Sequence, residues 1–303
     1  MCSSDLAARS GQDVDSLVTR PTIAICICTR NRPRELRRAL ASVPRSAIPV
    51  DQIVVADDST EESTAKLVGS HSAAELVQGP RRGLGANRNA AIGSLRTSHV
   101  LFLDDDAELD PAFLTNALNC LGTGATDGAI VTGRETKEAV AVAPHDLTFL
   151  GFQRRPYAPG ETLRTLVINS TLFPTTLFDR IRFDPQLVYG YEETDIAARA
   201  VANGYRIRFC PNAVNHHHPS QAGRDRNEMY VDASRLYSTW KRYDRVEGRR
   251  LKSLLYLIVG SAHHLGASAR RHGVQGVLGA ARSIVLACGF IRNLLRNPTL
   301  DRC

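Results

Sequence analysis

His99-Val100-Leu101-Phe102-Leu103-Asp104-Asp105-Asp106 passes in one step from an apolar run to three acids. The run is short and has no polar alternation, which fits a strand buried on both faces. Two earlier stretches share this design. Thr22 to Cys28 (TIAICIC) leads into Thr29-Arg30-Asn31-Arg32-Pro33, and Gln52 to Ala56 (QIVVA) leads into Asp57-Asp58-Ser59. Between them, Arg34 to Val43 carries Leu36, Ala39, Leu40 and Val43 at helical spacing, and Ala86 to Leu95 also reads as a helix. Apolar strands alternating with helices predict an α/β fold with a mostly parallel, Rossmann-like central sheet flanked by helices. Ligands of such sheets bind beyond the carboxyl ends of the strands. All three strands end there in polar or acidic residues, so one rim is expected to form a site.

The second half is less regular. Leu166 to Phe173 reads as a strand with a bend, Asp195 to Asn203 as a short helix, and Tyr205 to Phe209 as a strand before Asn215-His216-His217-His218. Helical patterns dominate from Arg224 onward, which predicts a C-terminal helical extension. The expected organisation is a polar lead-in over 1–20, a first half over 21–130, a second half over 131–223 and a helical region over 224–303. In that last region, Leu254 to Val259 and Ile284 to Ile291 are apolar but short of the ~18 uninterrupted residues of a membrane-crossing helix. They read either as an amphipathic basic tail lying on a membrane or as ordinary helices packed on the body. The packed reading is favoured, because a core-facing helix needs the same pattern.

The chain has 303 residues, a formal charge of +7 and 43% hydrophobic residues. Its Arg residues are scattered without interleaved aromatics, so no nucleic-acid partner is expected. Seven cysteines stand apart, with no CxxC pair and no zinc spacing. A reducing cytoplasm fits them, and Met1 to Arg20 lacks the apolar core of a secretory signal.

The chemistry sits at the strand ends. Two of Asp104, Asp105 and Asp106 can face one side and offer hard oxygen ligands to Mg²⁺ or Mn²⁺, with substrate phosphates completing the shell. Asp57 and Asp58 read as helix-capping residues or as partners of a nucleobase or ribose. Gly83-Leu84-Gly85-Ala86-Asn87-Arg88 imitates a dinucleotide fingerprint but lacks its third glycine; it reads as a loop into a helix, with Arg88 available to phosphate. Glu192, Glu193 and Asp195 open a predicted helix, as caps or as the source of a catalytic base. One of His216 to His218 could complete a metal shell begun by Asp106, although three successive residues cannot all point one way.

Taken together, PTIAICICTRNRP, IVVADDST, GLGANRNAAI, VLFLDDDAELDP and GYEETDIAARA resemble, in order, the motifs of the family 2 glycosyltransferases, over about Pro21 to Pro219. The resemblance implies a GT-A fold and an inverting, metal-dependent transfer from a nucleoside-diphosphate sugar, most commonly a UDP-sugar, to a hydroxyl acceptor. It implies that Thr29, with Arg30 and Asn31, and Asp58, beside Asp57, meet the base, that Arg88 meets the nucleotide, and that Asp105 approaches the ribose. Asp106 would ligate the metal, Asp104 would hold the first position of the acidic motif, and His216, then His218, would be the metal-side histidine. Glu193 stands where the family usually has Asp, with Glu192 its nearest competitor, and Asp195 would bind donor or acceptor. A small natural product or a cell-surface glycan precursor is the expected acceptor. Peripheral membrane contact through the C-terminal helices and a homodimer stay open. A sugar-phosphate nucleotidyltransferase is the rival reading, disfavoured because TRNRP contains no glycine. A non-catalytic nucleotide-sugar-binding protein is the other, disfavoured because the carboxylates at 106 and 193 are present.

Overall fold

The computed structural model describes residues 20–122, 128–219 and 224–298. All of the expected lead-in except Arg20 lies outside them, as do Cys2 and Cys303. Strands β1 (Ile23–Thr29), β2 (Gln52–Asp57), β3 (Ala74–Gln78) and β4 (His99–Asp104) run parallel, in the order β3-β2-β1-β4. Helices α1 (Pro33–Ser42), α2 (Ser63–Gly69) and α3 (Leu84–Ile92) connect them. The apolar runs are continuous because β1 is buried on both faces. Ile23, Ile25 and Ile27 enter one core with Leu36 and Leu40, while Ala24, Cys26 and Cys28 enter the other with Phe102 and Phe173. Register aligns the strand ends, with Thr29 beside Asp57 and Cys28 beside Asp104.

Beyond β4 come β5 (Ala107–Glu108), α4 (Phe113–Leu121), β6 (Ile130–Lys137), β7 (Val140–Val142), β8 (His145–Leu147), β9 (Gln153–Pro156) and β10 (Thr171–Pro174). Helix α5 (Glu192–Ala202), β11 (Ile207–His217), α6 (Arg224–Lys241) and a last helical segment, α7 (Arg250–Arg296), follow. The main sheet continues from β4 through β10, β6, β11 and β5. Strand β10 is antiparallel to both neighbours, whereas β11 runs parallel to β6. The sheet is therefore parallel from β3 to β4, as expected, and mixed beyond, and it runs unbroken across the expected boundary between the halves.

Three departures from the sequence reading bear on the site. Helix α5 starts at Glu192 rather than Asp195, so the acidic cluster forms its first turn. Strand β11 continues to His217, which imposes strand alternation on the histidines. The bend in Leu166 to Phe173 is a 3-10 turn, Ile168–Ser170, ahead of β10. The cysteines also differ from expectation: Cys120 of α4 and Cys210 of β11, 90 residues apart, form a disulfide. Separation in sequence hid a pair that packing α4 on β11 brings together.

The last segment is two helical arms meeting at Gly273, whose φ of 58° breaks the helix. Tyr256 of the first arm shares a core with Ile291 and Leu294 of the second and with Leu236, Tyr237 and Trp240 of α6. The arms thus fold back on each other against α6. By length and composition alone, this segment is apolar enough to cross a membrane.

Candidate active site

Burial next to charge sets the character of the rim. Asp105 is buried; it accepts a hydrogen bond from the Thr29 hydroxyl at 2.8 Å and pairs with Arg32 Nη1 at 2.6 Å. Burial pushes its carboxyl up to about 7 despite both partners. Asp106 accepts from Arg32 Nη2 at 2.9 Å and lies 3.2 Å from His217 Nε2. Burial works to raise its pKa, but the bonds from His217 and Arg32 outweigh it and hold the carboxyl well below the usual carboxylate range. Asp104 is half-buried. Its backbone N–H donates to Asn169 Oδ1 at 2.8 Å, and Arg88 Nη2 donates to its carboxylate at 2.9 Å.

Strand alternation decides the histidine. His217 turns inward between Asp106 and Glu135, whose Oε2 lies 3.1 Å from Nδ1. His216 turns away to Thr136 and Asp110, and His218 to Glu108. Ligand atoms of Asp104, Asp106 and His217 lie within 4.8 Å of one another. Of the three histidines it is thus His217, and not the expected His216 or His218, that faces Asp104 and Asp106. Two carboxylates and one imidazole, all hard or borderline donors, fit Mn²⁺ or Mg²⁺. Glu135 orients the imidazole from behind, as outer-shell carboxylates do. Burial opposes its charge, but His217 and Lys137 hold Glu135 down to about 2, whereas His217 itself, despite burial, is raised to about 9 by Asp106 and Glu135.

The acids of α5 have three different settings. Glu192 is buried and receives Arg88 Nη1 at 3.1 Å. Among the described residues no cation forms an ion pair with Glu193; Gln153 Nε2 donates to it at 2.9 Å. Burial first, then repulsion from Glu192, pushes Glu193 up to about 7. Asp195 lies elsewhere, paired with Arg199 Nη2 at 2.5 Å and Lys241 Nζ at 3.1 Å. Both arms of its carboxylate are engaged in the protein interior, so it anchors α5 to α6 instead of facing a substrate. Burial raises its pKa, and the two cations reverse that and lower it.

Arg88 is 1% exposed and bridges Asp104 and Glu192 above the Phe183 ring. The expectation that it meets the nucleotide therefore changes: both arms of its guanidinium are engaged, and it ties the end of β4 to the start of α5. The preceding glycines answer to packing. A Cβ at Gly83 would lie 2.6 Å from the Val188 backbone, and one at Gly85 2.6 Å from the Asp184 carbonyl. On the nucleotide side, Asp58 accepts from the Arg81 N–H at 2.8 Å, and Asp57 accepts from the Ser59 N–H at 2.8 Å, so Asp57 serves the turn. Asn31 adopts a φ of 55°, with its N–H on Ser59 Oγ at 2.7 Å, and Arg30 is exposed. A Cβ at Gly79 would collide with Asp58 Oδ1 at 2.1 Å, so glycine there leaves Asp58 its place.

Arg32, Glu135, Gln153 and Asn169 escaped the sequence reading. Arg32 lay in a segment already singled out, and Asn169 in the bend of Leu166 to Phe173. The others come from strands and turns without an acidic or glycine-rich signature. A cavity of about 760 Å³, lined by Phe149, Phe152, Arg154, Arg235, His263 and Arg270 among others, lies away from the acidic rim. Along β9, Gln153 meets Glu193 while Arg154 and the preceding Phe152 line this cavity.

The parallel half-sheet, the acidic end of β4 and the acidic start of α5 define a GT-A glycosyltransferase. Solved structures share the fold. GalNAc-T7 with UDP, GalNAc and Mn²⁺ superposes with a TM-score of 0.60 at 15% identity, over 74% of this chain and 48% of that one. S. aureus TarS gives 0.56 at 18%, over 80% and 43%. A mannosyltransferase from Pyrobaculum calidifontis, in complex with GDP-Man and Mn²⁺, gives 0.55 at 16%, over 92% and 88%. The chain thus spans less than half the length of the first two. No curated protein sequence matches it. Residues 24–181, just over half of the chain, match Glycosyl transferase family 2, and the chain belongs to that family.

Proposed function

We propose that this glycosyltransferase transfers a sugar from a nucleoside diphosphate, with UDP the first candidate, to an acceptor hydroxyl with inversion. The convergence of Asp104, Asp106 and His217 within 4.8 Å carries this reading. These residues would hold Mn²⁺ or Mg²⁺, which when bound neutralises the charge of a departing diphosphate. The UDP, GDP-Man and Mn²⁺ of the structural neighbours support the same class of donor and metal.

The remaining work falls to the chain's own residues. Glu193 takes the proton from the acceptor oxygen as that oxygen attacks the anomeric carbon, and the bond to the diphosphate breaks on the opposite face. A carboxyl raised to about 7 is matched to a base operating near neutrality. Glu192, held by Arg88, is the weaker candidate for that role. Thr29 fixes Asp105 toward the ribose side, while Asp58 and Asn31 shape the base side. The acceptor is proposed as a small molecule or a glycan precursor.

Incubating the chain with UDP- and GDP-sugars and Mn²⁺ tests this. The expected product is nucleoside diphosphate, in amounts that depend on metal. Release of pyrophosphate from a nucleoside triphosphate and a sugar phosphate would instead make it a nucleotidyltransferase.

A further inference from the structure

The arms of α7 bury one side and leave the other bare. Ser253, Tyr256, Gly260 and His264 recur at helical spacing and are buried in the first arm; Ala280, Ser283, Ala287, Ile291 and Leu294 do the same in the second. These stripes pack toward α6 through contacts such as Tyr237 on Phe290, with ring centroids 5.6 Å apart, and the Tyr256 hydroxyl on the Arg235 carbonyl. The opposite side should be polar in a helix that only packs on its own domain. It is apolar instead. Leu251, Leu254, Leu255 and Ile258, at i, i+3, i+4 and i+7, are exposed, Leu251 by 85% and Ile258 by 70%. On the second arm Val274 is 78% and Val285 71% exposed.

Charge selects the occupant. From Arg250 to Arg296 the sequence holds seven Arg and Lys and no Asp or Glu. Arg282, Arg292 and Arg296 are exposed on the same arm as Val285 and Leu295. A second copy of the chain docking through this face would bring two such cationic surfaces together. An anionic bilayer would take up the apolar stripe and neutralise the cations at once. Crossing the bilayer is disfavoured, because one side of both arms is already committed to α6 and Arg282 lies within the second arm.

We infer that the outer face of the α7 hairpin is a docking surface for an anionic lipid bilayer, with the arms lying in the interface plane. The assignment needs neither donor nor metal and stands apart from the transfer reaction. Full-length protein would be sedimented with vesicles of phosphatidylcholine alone or mixed with phosphatidylglycerol. It is expected to pellet with the mixed vesicles, to bind the neutral ones on the order of tenfold less, and to come off in high salt. Leu254→Glu with Ile258→Glu and Val285→Glu should abolish pelleting with an unchanged melting temperature, since all three side chains are exposed. Wild-type protein that stays in the supernatant with both vesicles overturns the inference, as does a folded triple variant that still pellets. A dimer that ignores vesicles and that the same substitutions dissociate would give the face to a second copy, and would equally overturn it.

Discussion

At the scale of single residues, burial beside like charge separates three neighbouring acids into different roles. Glu192 keeps a buried guanidinium; Glu193 keeps only an amide. Glu193→Gln is therefore expected to lower kcat by about 10²- to 10⁴-fold while leaving nucleotide affinity intact, a split that steady-state kinetics and calorimetry resolve. The pH profile follows from the raised carboxyl. The unprotonated form is the active one, so kcat/KM should rise as pH increases through about 7 and level off above it. A rate flat from pH 5 to 8 would remove Glu193 from the role. Arg88 acts through others. With Arg88 gone, Asp104 and Glu192 lose their shared cation in a buried site, so Arg88→Ala should cost about 3–5 kcal/mol of stability in urea denaturation. Arg88→Lys, a single point charge, should not restore both contacts. These distinctions were only partly legible in the sequence. It showed acids at 192, 193 and 195, but a sequence does not show which acid meets Arg88, Gln153 or Lys241.

At the scale of elements, period decided what could be read and what could not. The parallel strands β1, β2 and β4 were legible because burial on both faces leaves an unbroken apolar run that ends abruptly in acid. Strands β7 to β9 were not, because they are short, and β9 is exposed along its whole length; β6 is long and buried, but its IVTGRETK is too polar to stand out as an apolar run. The orientation of the histidines was hidden for a related reason. With β11 ended at Phe209, the run at 216 to 218 had no periodicity to obey. Once the strand reaches His217, alternation presents 217 to the site and 216 and 218 to the other side. His217→Ala is accordingly expected to weaken Mn²⁺ binding by at least about tenfold in titration calorimetry, while His216→Ala and His218→Ala leave it near wild type. Equal loss in all three would return the ligand role to the run as a whole. The glycines of the loop before α3 make a similar point. They look like a phosphate cradle, but they are required by the backbone at Val188 and Asp184.

At the scale of the whole molecule, the catalytic sheet and the C-terminal helices are joined by buried charge. Lys241 of α6 and Asp184 are fully buried and 2.7 Å apart; Lys241 also reaches Asp195 of α5, and the Tyr237 hydroxyl donates to Asp184 at 2.6 Å. Lys241→Met would leave the buried Asp184 without its cation and Asp195 with Arg199 alone, and should cost about 3–5 kcal/mol in chemical denaturation. Because the partners of Asp195 lower its pKa, its contribution is present above the ordinary aspartate range and is lost as pH falls through the lowered folded value. The same linkage holds α6 against the body, and α7 packs on α6 in turn, the arrangement that the favoured reading of the apolar patches after Arg250 described. On the proposed function, a nucleoside diphosphate and a divalent ion bind together where β4 ends. Thermal shifts of the wild type and of Asp106→Ala with UDP or GDP, with and without Mn²⁺, test it most directly. Stabilisation by one diphosphate is expected only when Mn²⁺ is present, worth about 2.7 kcal/mol at a hundredfold excess over Kd, and none in the variant. Equal shifts without metal, or an undiminished shift in Asp106→Ala, would contradict it.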